Sequence, residues 1–301
     1  MRRRTVGLLL IIAGLLFALI PLTLIEYQSL TRYRSVETYL DRMTGEGNLD
    51  RRLSEARGHN SRLEQTGYDV VDPFSTELDE QANPLADEDG EFAHIIIPSI
   101  ALSQPVYLGA SYDNMAKGLA QVEGTSLPVG GEGTRSVIAG HNGWYNNHFL
   151  LFADRLEPGD RIYVVVLGKV LAYEVVDSEV ILPSEGEKLA AVADRDMLTL
   201  LTCTPAPVND KRLLVNSVRV PHEDADSTES AGSNDAREQV RRIEQNDDQA
   251  GAVRFWQYVT RLTIFVLTVT LLWAVGRLVR SSRARPTEHA AGGIENENQQ
   301  S

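Results

Sequence analysis

The stretch MLTLLTCTPAPVNDKRLLVNSVRV occupies residues 197–220 and carries the signals of two strands joined by a loop. Both side-chain faces of residues 198–203 are largely apolar, which predicts a strand that is buried on both sides. Pro205 and Pro207 have no amide hydrogen to donate to a strand ladder, and the Asn-Asp pair at 209–210 is typical of a turn. A second strand is therefore predicted immediately after this turn.

Cys203 and Arg212 stand on either side of the predicted loop. Cys203 is the only cysteine in the chain and ends the first strand, whereas Arg212 lies near the start of the second. A thiolate attacks carbonyl carbon, and a neighbouring guanidinium supports the thiolate or the oxyanion that forms. The pair therefore indicates acyl chemistry. An unpaired cysteine outside the cell can instead be buried and inert, or paired with another chain.

Length and charge limit the class of protein. The chain has 301 residues, 43% of them hydrophobic and 24% charged, which is enough for one sizeable domain with flanking segments. Acidic residues outnumber basic ones by 42 to 29, and the formal net charge is −13. Because nucleic-acid binders concentrate Lys and Arg on one face, we expect no nucleic-acid partner.

Two apolar segments predict membrane anchoring at both ends of the chain. Residues 6–25 form an uncharged run after a basic N-terminus at 1–5. No small-x-small cleavage pattern follows, so a transmembrane signal anchor is favoured over a cleaved signal peptide. A second span is predicted at 255–276, followed by an arginine-bearing tail at 277–301. The distribution of arginine places both termini in the cytoplasm and the region between the spans outside the cell.

Four further segments lie between the predicted spans. Residues 26–66 have sparse apolar positions and predict juxtamembrane helices that act as a spacer or packing element. Residues 67–90 begin with the apolar sequence GYDVVDPF in polar surroundings, and an apolar loop needs a surface to cover. Residues 91–220 form the main folded region. The acidic, Ser- and Asn-rich residues 221–250 are predicted to be a flexible linker.

Short strands and few helices characterise residues 91–220. One β-branched strand stops at Pro98, and another ends in the sequence Gly140-His141-Asn142-Gly143. A hairpin is predicted across Gly168-Lys169, with glycine at the first position of a type II′ turn. This pattern favours an antiparallel or mixed β-barrel. It also places His141, like Cys203, at the end of a strand.

The motifs around Cys203 resemble those of the sortases, the membrane-anchored transpeptidases of Gram-positive surfaces. TLLTCTP at 199–205, with Arg212 after it, looks like the family's TLxTC signature. EGTSLPVGGEGTRSVIAGHNG at 123–143 resembles the segment that carries the family's histidine. The resemblance implies that Cys203 is the nucleophile, His141 its acid/base partner and Arg212 the support of the oxyanion. It also implies an eight-stranded β-barrel for the main folded region, with short helices.

Three features resemble class C, the pilin-polymerising branch of the family. They are the sequence LPVGG, the second apolar segment and the sequence Asp72-Pro73-Phe74. Class C enzymes carry a lid with an Asp-Pro-aromatic motif over the active site. The resemblance therefore assigns Asp72, Pro73 and Phe74 to a lid. In the closed lid, Asp72 would pair with Arg212 and Phe74 would lie against Cys203.

The reaction implied by the resemblance joins two proteins. Cys203 attacks the Thr-Gly carbonyl of an LPxTG-like sorting signal on a pilin or surface protein, and a pilin lysine resolves the thioester. The implied location is the membrane of a Gram-positive bacterium with the barrel outside. Neither a metal nor another cofactor is expected.

Other functions stay open on the sequence alone. A housekeeping sortase would attach surface proteins to a peptidoglycan amine. A catalytically silent, membrane-anchored pilus-assembly scaffold would keep the barrel without the reaction. A thiol hydrolase would release the product to water without an amine acceptor.

Overall fold

The computed structural model places most of the chain in helices and strands. The described residues are 2–45, 48–67, 70, 72–74, 91–143, 149–221, 233–246 and 250–283. Most of the predicted lid and loop segment (68, 69, 71 and 75–90) and of the predicted tail (284–301) lies outside them. The chain divides into two compact units, one of residues 1–28 and 254–301 and the other of residues 29–253.

Eight strands of the second unit close into a barrel. The strands are β1 Glu91–Ile97, β2 Leu102–Leu108, β3 Leu119–Gln121, β4 Thr134–Ala139, β5 Arg161–Val166, β6 Lys169–Ile181, β7 Asp196–Thr204 and β8 Lys211–Arg219. Their order around the barrel is β1-β2-β3-β4-β7-β8-β6-β5. The β2–β3 and β4–β7 pairs are parallel and the other neighbouring pairs are antiparallel. The predicted eight-stranded barrel is confirmed, and it is of the mixed type.

Five α-helices accompany the strands within the described residues. They are α1 Arg2–Gly45, α2 Leu49–Thr66, α3 Tyr112–Lys117, α4 Ser233–Asn246 and α5 Ala250–Arg283. Short 3-10 helices occupy Pro98–Ile100, Ala153–Arg155 and Gly186–Leu189.

Strand β7 is apolar on both faces because each face belongs to a different cluster. Successive side chains of a strand point to opposite sides, so Leu198 and Leu200 share one side and Leu201 takes the other. Leu198 and Leu200 lie in the interior cluster of the barrel. Leu201 belongs to a second apolar cluster on the opposite face. The predicted burial of this strand on both sides is confirmed.

The helices that precede the barrel pack against it. Tyr39 of α1 is fully buried, and its hydroxyl donates to the carbonyl of Phe92 at 2.8 Å and accepts from the N–H of Leu167 at 3.1 Å. In α2, the amide of Asn60 accepts from the N–H of Leu127 at 2.8 Å and donates to its carbonyl at 3.1 Å. Residues of the predicted spacer region therefore contribute to the core.

The prediction of a flexible linker over residues 221–250 was wrong for its second half. Residues 233–246 form α4, and Ala236, Val240 and Ile243 are buried in the interior cluster. These residues are spaced by four and three positions and share one face of a helix. The prediction failed because the averaged polar composition concealed this narrow apolar stripe. Arg237 of the same helix also forms an ion pair with Asp41 of α1.

The β5–β6 hairpin turns one residue earlier than predicted. Val166 ends β5 and Lys169 begins β6, so Leu167 and Gly168 are the two turn residues. Their φ angles of 46° and 74° are both positive. Two positive φ angles define a type I′ turn, and the predicted type II′ turn is therefore wrong.

One helix among the described residues is long and apolar enough to cross a membrane. It is Tyr258–Arg280 within α5, with 23 residues and a mean hydropathy of 2.1. The apolar part of α1 is Val6–Ile20, which is shorter than the roughly 20 residues that a span needs. Of the two predicted membrane spans, only the second is therefore supported by an apolar helix of sufficient length within the described residues.

Candidate active site

Cys203 and Arg212 face each other across two neighbouring strands. In the antiparallel β7–β8 pair, Cys203 is directly opposite Arg212. The loop between them is closed by a hydrogen bond of 2.8 Å from the N–H of Asn209 to the carbonyl of Pro205. Arg212 Nη1 donates to the carbonyl of Asn209 at 3.1 Å. The predicted placement of the cysteine and the arginine at the two ends of one loop is confirmed.

His141 follows β4, which runs parallel to the cysteine strand. The N–H of Gly140 donates to the carbonyl of Leu201 at 3.1 Å, and Thr202 Oγ1 donates to the carbonyl of Gly140 at 2.7 Å. The side-chain amide of Asn142 donates to the carbonyl of Cys203 at 2.8 Å. These bonds on either side of His141 hold its loop against the end of β7.

The glycine immediately before this histidine allows close packing. A Cβ atom at Gly140 would lie 2.5 Å from Leu119 Cδ2 and 3.1 Å from Leu150 Cγ. Contacts this short would force the Leu119 side chain or its neighbours to shift. Glycine before the histidine therefore lets Leu119 and Leu150 pack closely against the start of the histidine loop.

The described part of the predicted lid covers both Arg212 and His141. Asp72 accepts two hydrogen bonds from Arg212, of 2.9 Å from Nε and 2.7 Å from Nη2. Both side chains of this ion pair are only 6% exposed. The ring of Phe74 lies 5.1 Å from Arg212 Cζ and 5.9 Å from the His141 ring, measured to ring centroids. The expected pairing of Asp72 with Arg212 is thus present.

Tyr112 contacts the histidine from another side. Its ring meets the His141 ring edge-on, with the centroids 5.7 Å apart. Ser111 caps α3 by accepting from the N–H of Asn114 at 3.2 Å, which fixes the helix start where Tyr112 lies. Sequence reasoning missed Tyr112 because no local motif marks it. The closure of the barrel is what brings α3 beside the histidine. It also missed Asn142, although that residue is adjacent to His141.

A buried apolar cluster adjoins the site on the strand face that carries Cys203. We name this second cluster the outer cluster; it consists of Ala110, Met115, Ala120, Val122, Val137, Ala139, Ile181, Leu189, Leu201 and Leu214. Cys203 lies two positions after Leu201, and Arg212 lies two positions before Leu214, so all four share one strand face. Val70 and Phe74 of the lid pack against the same cluster.

Burial of the site favours the neutral forms of its two titratable groups. Burial raises the pKa of the Cys203 thiol; the charge of Arg212 lowers it in part, and the charge of Asp72 raises it further. Burial also lowers the pKa of His141 below its ordinary value. At neutral pH, the closed site therefore contains mostly a thiol and an uncharged imidazole.

Comparison with known proteins places this arrangement in a family. The Sortase domain family model matches residues 95–220. Sortase C-3 from Streptococcus pneumoniae is 36% identical with a TM-score of 0.58, and the match covers 63% of this chain and 90% of that one. Sortase C-1 from Actinomyces oris is 37% identical with a TM-score of 0.55, covering 59% of this chain and all (100%) of that one.

A curated relative is more distant. Sortase A of Streptococcus agalactiae is 22% identical over 171 residues, which are 55% of this chain and 68% of that protein. The chain belongs to the sortase family of cysteine transpeptidases. Within that family it is a class C sortase, the class of the structural neighbours.

Proposed function

We propose that Cys203 is the nucleophile, His141 the general acid and base, and Arg212 the support of the oxyanion. The observation that carries this assignment is the register of β7 and β8, which sets the thiol directly opposite the guanidinium. Arginine keeps its charge throughout the accessible pH range, so it is suited to a transition state that gains negative charge on oxygen.

The first half of the proposed reaction forms a thioester. The Cys203 sulfur attacks the carbonyl carbon between Thr and Gly of an LPxTG-like sorting signal, and the thiol proton passes to His141. The negative charge on the tetrahedral oxygen is stabilised by Arg212. His141 then gives the proton to the leaving glycine amine, and the C–N bond breaks.

The second half of the proposed reaction transfers the acyl group to a pilin lysine. The ε-amine attacks the thioester carbonyl and loses a proton to His141. The C–S bond breaks, and Cys203 regains a proton as the isopeptide bond is completed. Each half begins with the same protonation states, so one histidine serves both.

We further assign residues 72–74 to a lid that regulates access to the cysteine. The bidentate bonds of Asp72 occupy the arginine that the oxyanion would need. Phe74 lies over the same guanidinium and beside His141. A substrate therefore has to displace both side chains before the proposed reaction begins.

The proposed enzyme is anchored in the cell membrane with its barrel outside the cell. Support comes from the apolar helix Tyr258–Arg280 and, at the other end, from the shorter apolar stretch Val6–Ile20 after three arginines. Both termini would then be cytoplasmic. Because pilin precursors are themselves membrane-held in this proposal, tethering raises the effective concentration of enzyme and substrate.

Intact mass spectrometry of the full-length protein in detergent tests the proposed site. After incubation with an LPxTG peptide, we expect a mass increase equal to the amino-side fragment of the peptide. Cys203→Ala should give no adduct, and His141→Ala should slow adduct formation by about 100-fold or more. An adduct on Cys203→Ala, or at a residue other than Cys203, would disprove the assignment.

A wild-type protein without an adduct can still have a closed lid. The same incubation with Asp72→Ala separates the two explanations, since this variant removes the carboxylate from Arg212. An adduct in Asp72→Ala alone means that the lid controls access. No adduct in either protein, with any LPxTG-like peptide, would favour the scaffold function over catalysis.

A further inference from the structure

A second buried arginine lies on the same face of the sheet as Arg212. Arg135 of β4 is only 5% exposed. Its Nε donates to Thr199 Oγ1 of β7 at 2.9 Å, and its Nη2 donates to Asn216 Oδ1 of β8 at 2.7 Å. Its Nη1 donates to the carbonyls of Lys188 at 2.5 Å and Ala190 at 3.2 Å. The guanidinium therefore joins three strands to the connection between β6 and β7.

All partners of this cation are neutral. Among the described residues, no carboxylate lies within ion-pair distance of Arg135. The side-chain amide of Asn216 in turn donates a hydrogen bond to Asp177 Oδ1 at 2.7 Å. Burial lowers the pKa of Arg135, and the charges of Glu179 and Asp177 offset this in part. Burying a cation on neutral acceptors is unfavourable compared with a packed apolar side chain, so Arg135 is not explained by stability alone.

The two carbonyls belong to a segment that faces both the apolar surface and the lid. We name residues 186–190 the wall segment. Leu189, which lies between the two carbonyls, is 2% exposed and belongs to the outer cluster. At its other end, a Cβ atom on Gly186 would lie 2.7 Å from the carbonyl oxygen of Val70 in the lid. The wall segment therefore borders the apolar surface and supports the lid.

We propose that Arg135 is a positioning residue that fixes the wall segment and thereby sets the affinity for the donor peptide. This inference rests on the proposed function of the Cys203 site. Once Val70 and Phe74 are displaced from the outer cluster, an extended sorting signal with its Thr-Gly bond at Cys203 would lie along that cluster, because it is the apolar part of the strand face that carries Cys203. Arg135 fixes the position of the wall segment, which borders this cluster on one side.

Arg135 is too far from Cys203 to touch the reacting atoms. Its partner Thr199 precedes Cys203 by four positions on β7, which is about 13 Å along a strand. The expected kinetic signature is therefore a higher KM for the donor peptide with an almost unchanged maximal rate. A residue acting in the chemical step would lower the maximal rate instead.

The experiment measures single-turnover acylation of the full-length protein in detergent at several concentrations of LPxTG peptide. The lid variant Asp72→Ala serves as the common background, so that lid opening does not limit any variant. In this background we expect Arg135→Met to raise the half-saturating peptide concentration by about 10-fold, because two bonds to the wall segment are lost. The maximal rate should change by less than about twofold.

Arg195→Met is the matched control. Arg195 is an exposed arginine that ends the same β6–β7 connection, and its side chain makes no hydrogen bond to another described residue. It should leave both kinetic constants unchanged. The inference is overturned if Arg195→Met has the same effect as Arg135→Met, or if Arg135→Met lowers the maximal rate and leaves half-saturation unchanged.

Arg135→Lys keeps the test valid if Arg135→Met does not fold. A lysine keeps the charge but cannot bond to Thr199, Asn216 and the wall segment together. We expect a rise in half-saturation of about threefold at an unchanged maximal rate. Unchanged half-saturation in this variant also contradicts the inference. Failure of the proposed function is recognised separately, because the background enzyme itself then forms no adduct.

Discussion

Arg135 and Arg212 lie on the same face of the sheet and are equally buried, each 5% exposed, but they bind different kinds of partner. Arg212 is held by the carboxylate of Asp72, which belongs to the proposed lid. Arg135 is held by strand side chains and by two backbone carbonyls of the β6–β7 connection. One arginine can exchange its partner when the lid moves, whereas the other cannot without a change in the barrel.

This difference separates two tasks that the same side chain can perform. A guanidinium that is to support an oxyanion has to be released, and a carboxylate on a movable segment serves as a temporary substitute for that oxyanion. A guanidinium that fixes a loop needs partners that stay. We therefore expect replacement of Arg212 to lower the maximal acylation rate, and replacement of Arg135 to raise the half-saturating peptide concentration.

The largest effect is expected from Arg212→Lys in the Asp72→Ala background. A lysine keeps the positive charge but loses the planar fork opposite Cys203. We expect the maximal acylation rate to fall by about 100-fold, with half-saturation by the peptide almost unchanged. Single-turnover mass spectrometry measures both constants. A higher half-saturation with an unchanged maximal rate would make Arg212 resemble Arg135 and would abolish the distinction.

Asp72→Asn is expected to release Arg212 and to leave Arg135 in place. The substitution keeps the shape of the side chain and removes its charge, so the lid should open more often and alkylation of Cys203 by iodoacetamide should speed up by about 10-fold. Because the charge of Asp72 raises the pKa of Cys203, the pH profile of alkylation should also shift to lower pH. Asp210→Asn is the control, since Asp210 is an exposed carboxylate on the neighbouring loop. Equal alkylation rates and pH profiles in wild type and Asp72→Asn would show that the lid does not protect the thiol.

Gly186→Ala is expected to move the lid without replacing either arginine or any residue that forms a hydrogen bond with it. The added Cβ would meet the carbonyl oxygen of Val70 at 2.7 Å, so the lid or the wall segment has to shift. We expect alkylation of Cys203 to speed up by about threefold, which is less than for Asp72→Asn because the ion pair remains. Gly58→Ala in α2 is the control, since its Cβ would meet its nearest neighbour at 3.6 Å. A Gly186→Ala protein with wild-type alkylation would contradict the described contact.

Acid should affect stability through a residue remote from both arginines. His94 is fully buried, and burial lowers its pKa below the ordinary 6.5, although Glu91 opposes the shift. The folded protein therefore binds fewer protons than the unfolded one, so stability is complete above pH 6.5 and decreases as the pH falls below it. Thermal melts of wild type and His94→Gln over this range test the effect. A melting temperature that falls equally in wild type and His94→Gln would exclude His94 as the cause.

Sequence reasoning identified the residues of the proposed active site more completely than the contacts that surround them. The placement of Cys203 and Arg212 on two strands at the ends of one loop followed from a strand, a proline-rich loop and a second strand, all within one continuous stretch. The position of Asp72 on Arg212 followed from the resemblance to class C enzymes. The first feature rests on a short motif that determines its own local structure, whereas the second joins residues 140 positions apart and was found only through the family resemblance.

The missed features depend on residues that are distant in the sequence. Arg135 has partners 53 to 81 positions away, and no local pattern distinguishes it from an exposed arginine. Tyr112 meets His141 only because the closed barrel brings α3 to that edge. Helix α4 was missed because three apolar residues in a polar stretch become an apolar face only when the barrel offers a surface.

The acceptor of the acyl group tests the central claim most directly. The acyl-enzyme of the full-length Asp72→Ala protein would be offered a lysine-bearing pilin domain, a peptidoglycan stem peptide and water together, and the products would be identified by mass spectrometry. We expect the peptide fragment to be joined through an isopeptide bond to one pilin lysine, and no such product with Cys203→Ala. Transfer to the peptidoglycan amine or to water alone, with the pilin unmodified, would contradict the proposed pilus-polymerising function.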